Sequence, residues 1–199
     1  MASRRPFAQP LRVRRDERVF CVVRSQPNQC LCGSTARIIH SGDRAQAINE
    51  LIQEMIALLR GEASRHSILI HRDFSLDLPP IMADRVQLQQ VLMNLMLNSI
   101  EAMKSMNTPG KLTIKSQQDD SGQLLISVMD TGVGVPPEKI EQIFNAFFTS
   151  KPQGTGMGLA ISRSIIESHG GRLWATPNAG TGTTFHFTLP TRPNAHQVA

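Results

Sequence analysis

At 199 residues, 40% hydrophobic and 19% charged, the chain suits one globular domain of ordinary size plus an extension, and no apolar run approaches the roughly 18 residues of a membrane span. The net charge of +5 belongs to the first 44 residues, which hold nine Arg against three acids, while residues 45–199 hold 12 bases against 13 acids; no nucleic-acid partner is expected of so neutral a domain. Eight Phe, one Trp and no Tyr give no stacking platform for single strands, and Cys21, Cys30 and Cys32, all in the arm, form neither a disulfide framework nor a closed zinc site.

Residues 1–44 carry Pro6, Pro10, Pro27 and scattered Arg without periodicity, which reads as a basic, disordered or weakly packed arm. The reduced cysteines suit a cytoplasmic setting, and Asp16 and Glu17 count against a transit peptide. From Ala45, Ile48, Leu51, Ile52, Met55, Ile56, Leu58 and Leu59 recur at helical spacing, and Gly61 follows. Ile68 and Ile70 alternate as a strand before L-D-L-P-P breaks the chain. A long helix is expected from Asp84, its buried face marked by Leu88, Val91, Leu92, Leu95, Met96 and Met103, and N-T-P-G at 107–110 ends it. Strands follow over 112–116 and 124–129, then a glycine turn at 131–134 and a short Pro-started helix near 137–143. The segment 144–156 reads as a loop with Phe anchors, 157–168 as a helix stopped by His169-Gly170-Gly171, and 172–176 with 183–189 as a closing hairpin. The tail covers 191–199. Strands and helices come in runs, so the class is α+β: a two-layer sandwich with a mixed, mostly antiparallel sheet covered on one face by helices.

Four short motifs carry chemistry. Asn94 and Asn98 share a helix face, and buried amides need partners; Asn98 is placed either to offer its oxygen to Mg²⁺ or to bond backbone at the core rim. Asp130, entering T-G-V-G-V-P, either accepts a hydrogen bond from an exocyclic amine such as adenine's or ends an ordinary strand-to-helix corner; Gly132 and Gly134 permit close backbone approach. Phe144, Phe147 and Phe148 precede Thr149-Ser150-Lys151 and Gly154, Gly156 and Gly158, a pattern for either a hinged lid with apolar plugs or ordinary core. Gly156 and Gly158 also stand at a helix start, where free N–H groups favour phosphate, and Lys151 could add a point charge. No G-K-[ST] follows the glycines, which excludes a P-loop, and no Rossmann unit is visible. The six histidines show no metal spacing.

In this order the motifs resemble the GHKL ATPase superfamily, and within it the catalytic domain of sensor histidine kinases of the oxygen- and nitrogen-sensing type. Asn94–Asn98 resembles the N box, Asp130–Gly134 the G1 box, Phe144–Phe148 the F box and Gly154–Gly158 the G2 box, and the resemblance covers about residues 46–190. It implies an α/β sandwich with a mobile ATP lid, Asn98 on Mg²⁺, Asp130 on the adenine amine, Gly132 and Gly134 shaping the purine pocket, and Thr184 assisting through a water. Lys151, Gly154, Thr155, Gly156, Gly158 and Leu159 would meet the phosphates, with Asn94, Asn98 and Lys151 as the catalytic set. The implied activity is transfer of the γ-phosphate of Mg-ATP to a histidine of a dimerisation domain, and onward to a response-regulator aspartate. Three departures stand out. No phosphoacceptor His followed by Glu or Asp on a long helix is present, since His40 has other surroundings, so the acceptor is expected in trans or in a part missing from this fragment. Asn94 stands where hydrolysing members carry a Glu base, which favours transfer over hydrolysis. Glu101 stands where many kinases have Lys three residues after the metal Asn, and Lys104 is the nearby substitute. The alternatives are an ATPase of the same superfamily, an anti-sigma-type serine kinase, or a non-catalytic nucleotide-binding module.

Overall fold

The structure, a computed structural model, describes residues 46–106, 108–149 and 154–191. The arm over 1–44, Lys151 and the tail beyond Thr191 lie outside the described residues. Three helices, α1 (Gln46–Arg65), α2 (Arg85–Lys104) and α3 (Gly158–Ser168), accompany five strands: β1 (Ile68–Phe74), β2 (Gly110–Gln118), β3 (Leu124–Met129), β4 (Arg172–Pro177) and β5 (Thr183–Leu189). The sheet order is β1-β2-β3-β5-β4, with β1 and β2 parallel and every other pair antiparallel. This is the mixed two-layer α+β arrangement expected from the sequence.

Alternation along β2 and β3 decides which face is covered. Leu112, Ile114, Leu124, Ile126 and Val128 are fully buried, while Lys111, Lys115 and Met129 face out. Against the apolar face lie Leu88, Leu92, Leu95, Met96 and Ile100 of α2, all at most 1% exposed. Each such side chain contributes about 1.5–3 kcal/mol by leaving water, so this α2–sheet layer forms the core. One polar stitch crosses it: the Ser116 hydroxyl donates to Asn49 Oδ1 at 2.7 Å, and Asn49 Nδ2 donates to the Ser75 carbonyl at 2.9 Å. On the outer face His186 is held between Ser127 and Thr176, each at 2.9 Å, and stacks on Trp174. That is a packing role.

Two elements differ from the sequence reading. α1 runs past Gly61 to Arg65, because Ala63, 2% exposed, still packs on the core and Glu62 bonds Arg65 and Lys104; packing outweighs the roughly 1 kcal/mol glycine cost. The expected helix at 137–143 is two separate 3₁₀ turns, Pro137–Lys139 and Gln142–Phe144, too short to repay α-helix nucleation. At the start of α2, Asp84 Oδ1 accepts from the N–H groups of Val86 and Gln87 at 2.8 and 3.0 Å, a side-chain cap. Among the described residues no helix is long and apolar enough to cross a membrane.

Candidate functional site

Between α2, the turn after β3 and the start of α3 lies a cavity of about 580 Å³. Of the residues singled out in the sequence, Asn94, Asn98, Asp130, Gly134, Gly154, Thr155, Gly156, Gly158 and Leu159 line it. Motifs up to 65 positions apart thus meet in one cleft, at a volume suited to a nucleotide. A second cleft of about 530 Å³, beside β1, is lined by none of the motif residues.

Asp130 leaves β3 at the cavity floor, 1% exposed. Its Oδ1 accepts from the N–H of Gly132 at 2.9 Å and of Thr183 at 3.2 Å. Burial pushes its carboxyl above the ordinary value, opposed by these two N–H groups and by the nearby Ser99 hydroxyl. Ser99 favours the charged form yet falls short of a hydrogen bond; its Oγ and Thr183 Oγ1 are buried without a partner among the described residues. Orphaned buried hydroxyls are costly. Two of them on residues that border Asp130 suit a polar ligand or a bridging water.

Gly132 does not line the cavity; it lets the turn lie on α2. A Cβ there would stand 2.6 Å from the Ala102 carbonyl oxygen, which accepts from the Val133 N–H at 3.1 Å. Thr184 requires a correction. Its hydroxyl donates to Asn178 Oδ1 at 2.6 Å, and the cavity is lined instead by its neighbour Thr183. Successive strand residues face opposite sides, and the apolar alternation Phe185, Phe187, Leu189 in the sequence is the signal that puts Thr183, not Thr184, on the core face.

At the other end, Asn94 Nδ2 donates to the buried Ser162 hydroxyl at 2.9 Å, joining α2 to α3, and Asn98 Nδ2 makes a long 3.5 Å contact to Asn94 Oδ1. The Asn94 amide lies so close to Gly158 that any side chain there would collide with it. α3 begins at Gly158 with no side-chain cap, so its first N–H groups are available to an anion. The Phe147 N–H donates to the Gly156 carbonyl at 3.0 Å, joining the end of the Phe segment to the glycines before α3. Both residues are left-handed, φ 67° and 66°, and a Cβ on Gly156 would stand 2.5 Å from the Phe147 carbonyl carbon. Phe144 is buried and Phe148 packs on the core, whereas Phe147 is 76% exposed; the apolar plugs are therefore two, not three.

The cavity rim carries an ion-pair chain. Lys104 Nζ lies 2.9 Å from Glu101 Oε2 and 3.0 Å from Glu62 Oε1 of α1. Lys104, which also lines the cavity, is thus held by two carboxylates.

Residues 83–193 match the family described as "Histidine kinase-, DNA gyrase B-, and HSP90-like ATPase". The chain is 43% identical over 152 residues to the sensor protein FixL of Bradyrhizobium diazoefficiens, covering 75% of this chain and 30% of FixL. It therefore spans less than a third of that relative's length. The catalytic domain of the histidine kinase ThkA is 39% identical, with a TM-score of 0.63 over 72% of this chain and 92% of that one; ThkA has also been solved in complex with the response regulator TrrA. Full-length ShkA, solved in complex with AMPPNP, is 31% identical with a TM-score of 0.65, over 74% of this chain and 31% of that one.

Proposed function

The chain belongs to the family of histidine kinase-, DNA gyrase B- and HSP90-like ATPases, and from that premise we propose that it binds Mg-ATP and transfers the γ-phosphate to a histidine on a dimerisation domain. The observation that carries the reading is the meeting in one cavity of a buried carboxylate, two helix-borne amides and an uncapped helix N-terminus. In this assignment Asp130 accepts the adenine amine, with Ser99 and Thr183 satisfying the purine edge directly or through a water. Gly134 lets the backbone lie against the ring, and Gly154, Thr155, Gly156, Gly158 and Leu159 receive the phosphates at the start of α3. Asn98 is the protein ligand for Mg²⁺, whose other ligands are phosphate oxygens and waters. When bound, that ion supplies charge neutralisation at the phosphoryl groups. Lys151 is assigned to the terminal phosphate on the strength of its motif alone.

Such chemistry is mostly positioning and charge stabilisation, which suits a cavity lined by two amides, a carboxylate and glycine backbone. Asn94 cannot act as a base toward water, and its amide is spent on Ser162, so the reading favours transfer over hydrolysis. Phe147, Met157 and Ile161 are exposed apolar residues beside the phosphate end, a surface suited to docking the helix that bears the acceptor histidine. AMPPNP in ShkA and the regulator bound to ThkA support the nucleotide and the onward partner. The expected setting is the cytoplasm, where ATP is available.

The test is labelling from γ-labelled Mg-ATP with a separately produced histidine-bearing dimerisation domain. Acid-labile, alkali-stable label on that domain is the predicted outcome. Acid-stable label on a serine partner would instead indicate a serine kinase, and sustained turnover without acceptor would indicate an ATPase.

A further inference from the structure

One wall of the cavity carries a carboxylate that the assignment above leaves without a task. Asn94, Asn98, Glu101, Ala102 and Ser105 all line the cavity from the α2 side, at spacings that form a single stripe of a helix. The ends of that stripe have different neighbours. Asn94 meets Gly158 and Ser162 of α3, the phosphate end. Ala102 meets Gly132, whose N–H holds Asp130, the purine end. In a nucleotide the ribose joins purine to phosphate, so a ligand spanning the two ends carries its sugar past the middle of the stripe. Glu101 stands there, about 4.5 Å along the helix from Asn98.

A bare carboxylate would repel a triphosphate, but Glu101 is not bare. Lys104 holds its Oε2 at 2.9 Å and is itself anchored by Glu62 at 3.0 Å, an arrangement that raises the Lys104 pKa, chiefly through Glu101. Glu101 lines the cavity and its side chain is 46% exposed. A carboxylate only accepts hydrogen bonds, and the vicinal hydroxyls of a ribose only need to donate them; an acidic residue meets ribose in the same way at dinucleotide sites.

We propose that Glu101 accepts hydrogen bonds from the ribose hydroxyls of the bound nucleotide and makes the site selective for ribonucleotides, with Lys104 as its positioning residue. The inference rests on the Mg-ATP reading. Its test is calorimetric binding of ATP, 2′-deoxy-ATP and 3′-deoxy-ATP to the intact chain and to Glu101→Ala, with thermal melts to verify folding. The intact chain is expected to favour ATP over the weaker-binding deoxynucleotide by about tenfold, the effect of one charge-assisted hydrogen bond. Glu101→Ala is expected to shrink that preference to about twofold or less. Glu101→Gln, which keeps the shape without the charge, is the second variant and is expected to fall between the two. Equal binding of all three nucleotides by the intact chain, or a preference that survives in Glu101→Ala, overturns the assignment. So does a loss shared equally by ribose and deoxyribose nucleotides and confined to magnesium buffer, which would make Glu101 a metal ligand. Absence of binding by any nucleotide to the intact chain would defeat the Mg-ATP reading itself, and this inference with it.

Discussion

The backbone N–H of Asp84 donates to Nε2 of His169 at 3.0 Å, while His169 Nδ1 bonds the Ile165 carbonyl at 2.8 Å. The two partners fix the ring as its Nδ1–H tautomer and tie the first turn of α2 to the last turn of α3. Both helices line the candidate site, so this histidine sets their separation from the far end. His169→Ala is expected to cost about 1–2 kcal/mol, the loss of a partly buried hydrogen-bonded bridge. Urea unfolding of the two proteins measures it, and an unchanged midpoint would show that the bridge contributes nothing.

Gly158 gives a prediction of the opposite kind, functional rather than structural. A methyl group at that position meets the Asn94 amide, not the core, and a flexible amide can move aside. Gly158→Ala should therefore cost about 1–3 kcal/mol at most, the loss of the Asn94–Ser162 hydrogen bond, and still fold. The displaced amide should lower Mg-ATP affinity by about tenfold or more. Equal loss of stability and binding would indicate general damage instead.

The two adjacent threonines of β5 offer a clean contrast. Thr183 faces the cavity and Thr184 faces Asn178. Thr183→Val should weaken ATP binding about fivefold to tenfold, the loss of one hydrogen bond to the ligand or its water. Thr184→Val should leave binding nearly unchanged. Competition binding of both variants decides, and the reverse pattern would return the role to Thr184.

Much of this site was readable before any coordinates, and the errors have physical causes. Asn94, Asn98, Asp130 and the glycines of 154–158 stand out in the sequence because each belongs to a short motif whose residue types have few uses. The neighbours that complete the site, Ser99 and Thr183, are ordinary core-lining residues in sequence; only helix phase brings the Ser99 hydroxyl near Asp130, and only strand register gives its carboxylate the Thr183 N–H. Thr183 and Thr184 differ by one position, and one position is a change of face. Gly61 misled because local propensity is weaker than the packing of Ala63. Phe147 misled because hydrophobicity alone does not distinguish an anchor from an exposed contact.

Asp130 links site and stability through pH. Burial raises its folded-state pKa above the unfolded value, so the folded chain holds this proton more tightly than the unfolded one. The sign follows: this group's contribution favours folding below the unfolded pKa and is lost as pH rises through the folded pKa. Burial thus sets the charged form of this carboxylate against folding, while the Gly132 and Thr183 N–H groups partly offset that cost. Asp130→Asn, which keeps an oxygen to accept from Gly132 and Thr183, should be at least as stable as the parent at neutral pH. Thermal melts at neutral and mildly acidic pH check this, and a marked destabilisation of the variant at neutral pH would contradict it.

The central claim, a magnesium-dependent ATP site reading the base through Asp130, is tested most directly by calorimetric titration of Mg-ATP into the intact chain, beside Asp130→Asn and a magnesium-free sample. The predicted result is saturable one-to-one binding by the intact chain that weakens by about tenfold or more when either Asp130 or the metal is removed. A folded, intact chain that takes up no ATP, or binds it equally well without Asp130 and magnesium, would contradict the account.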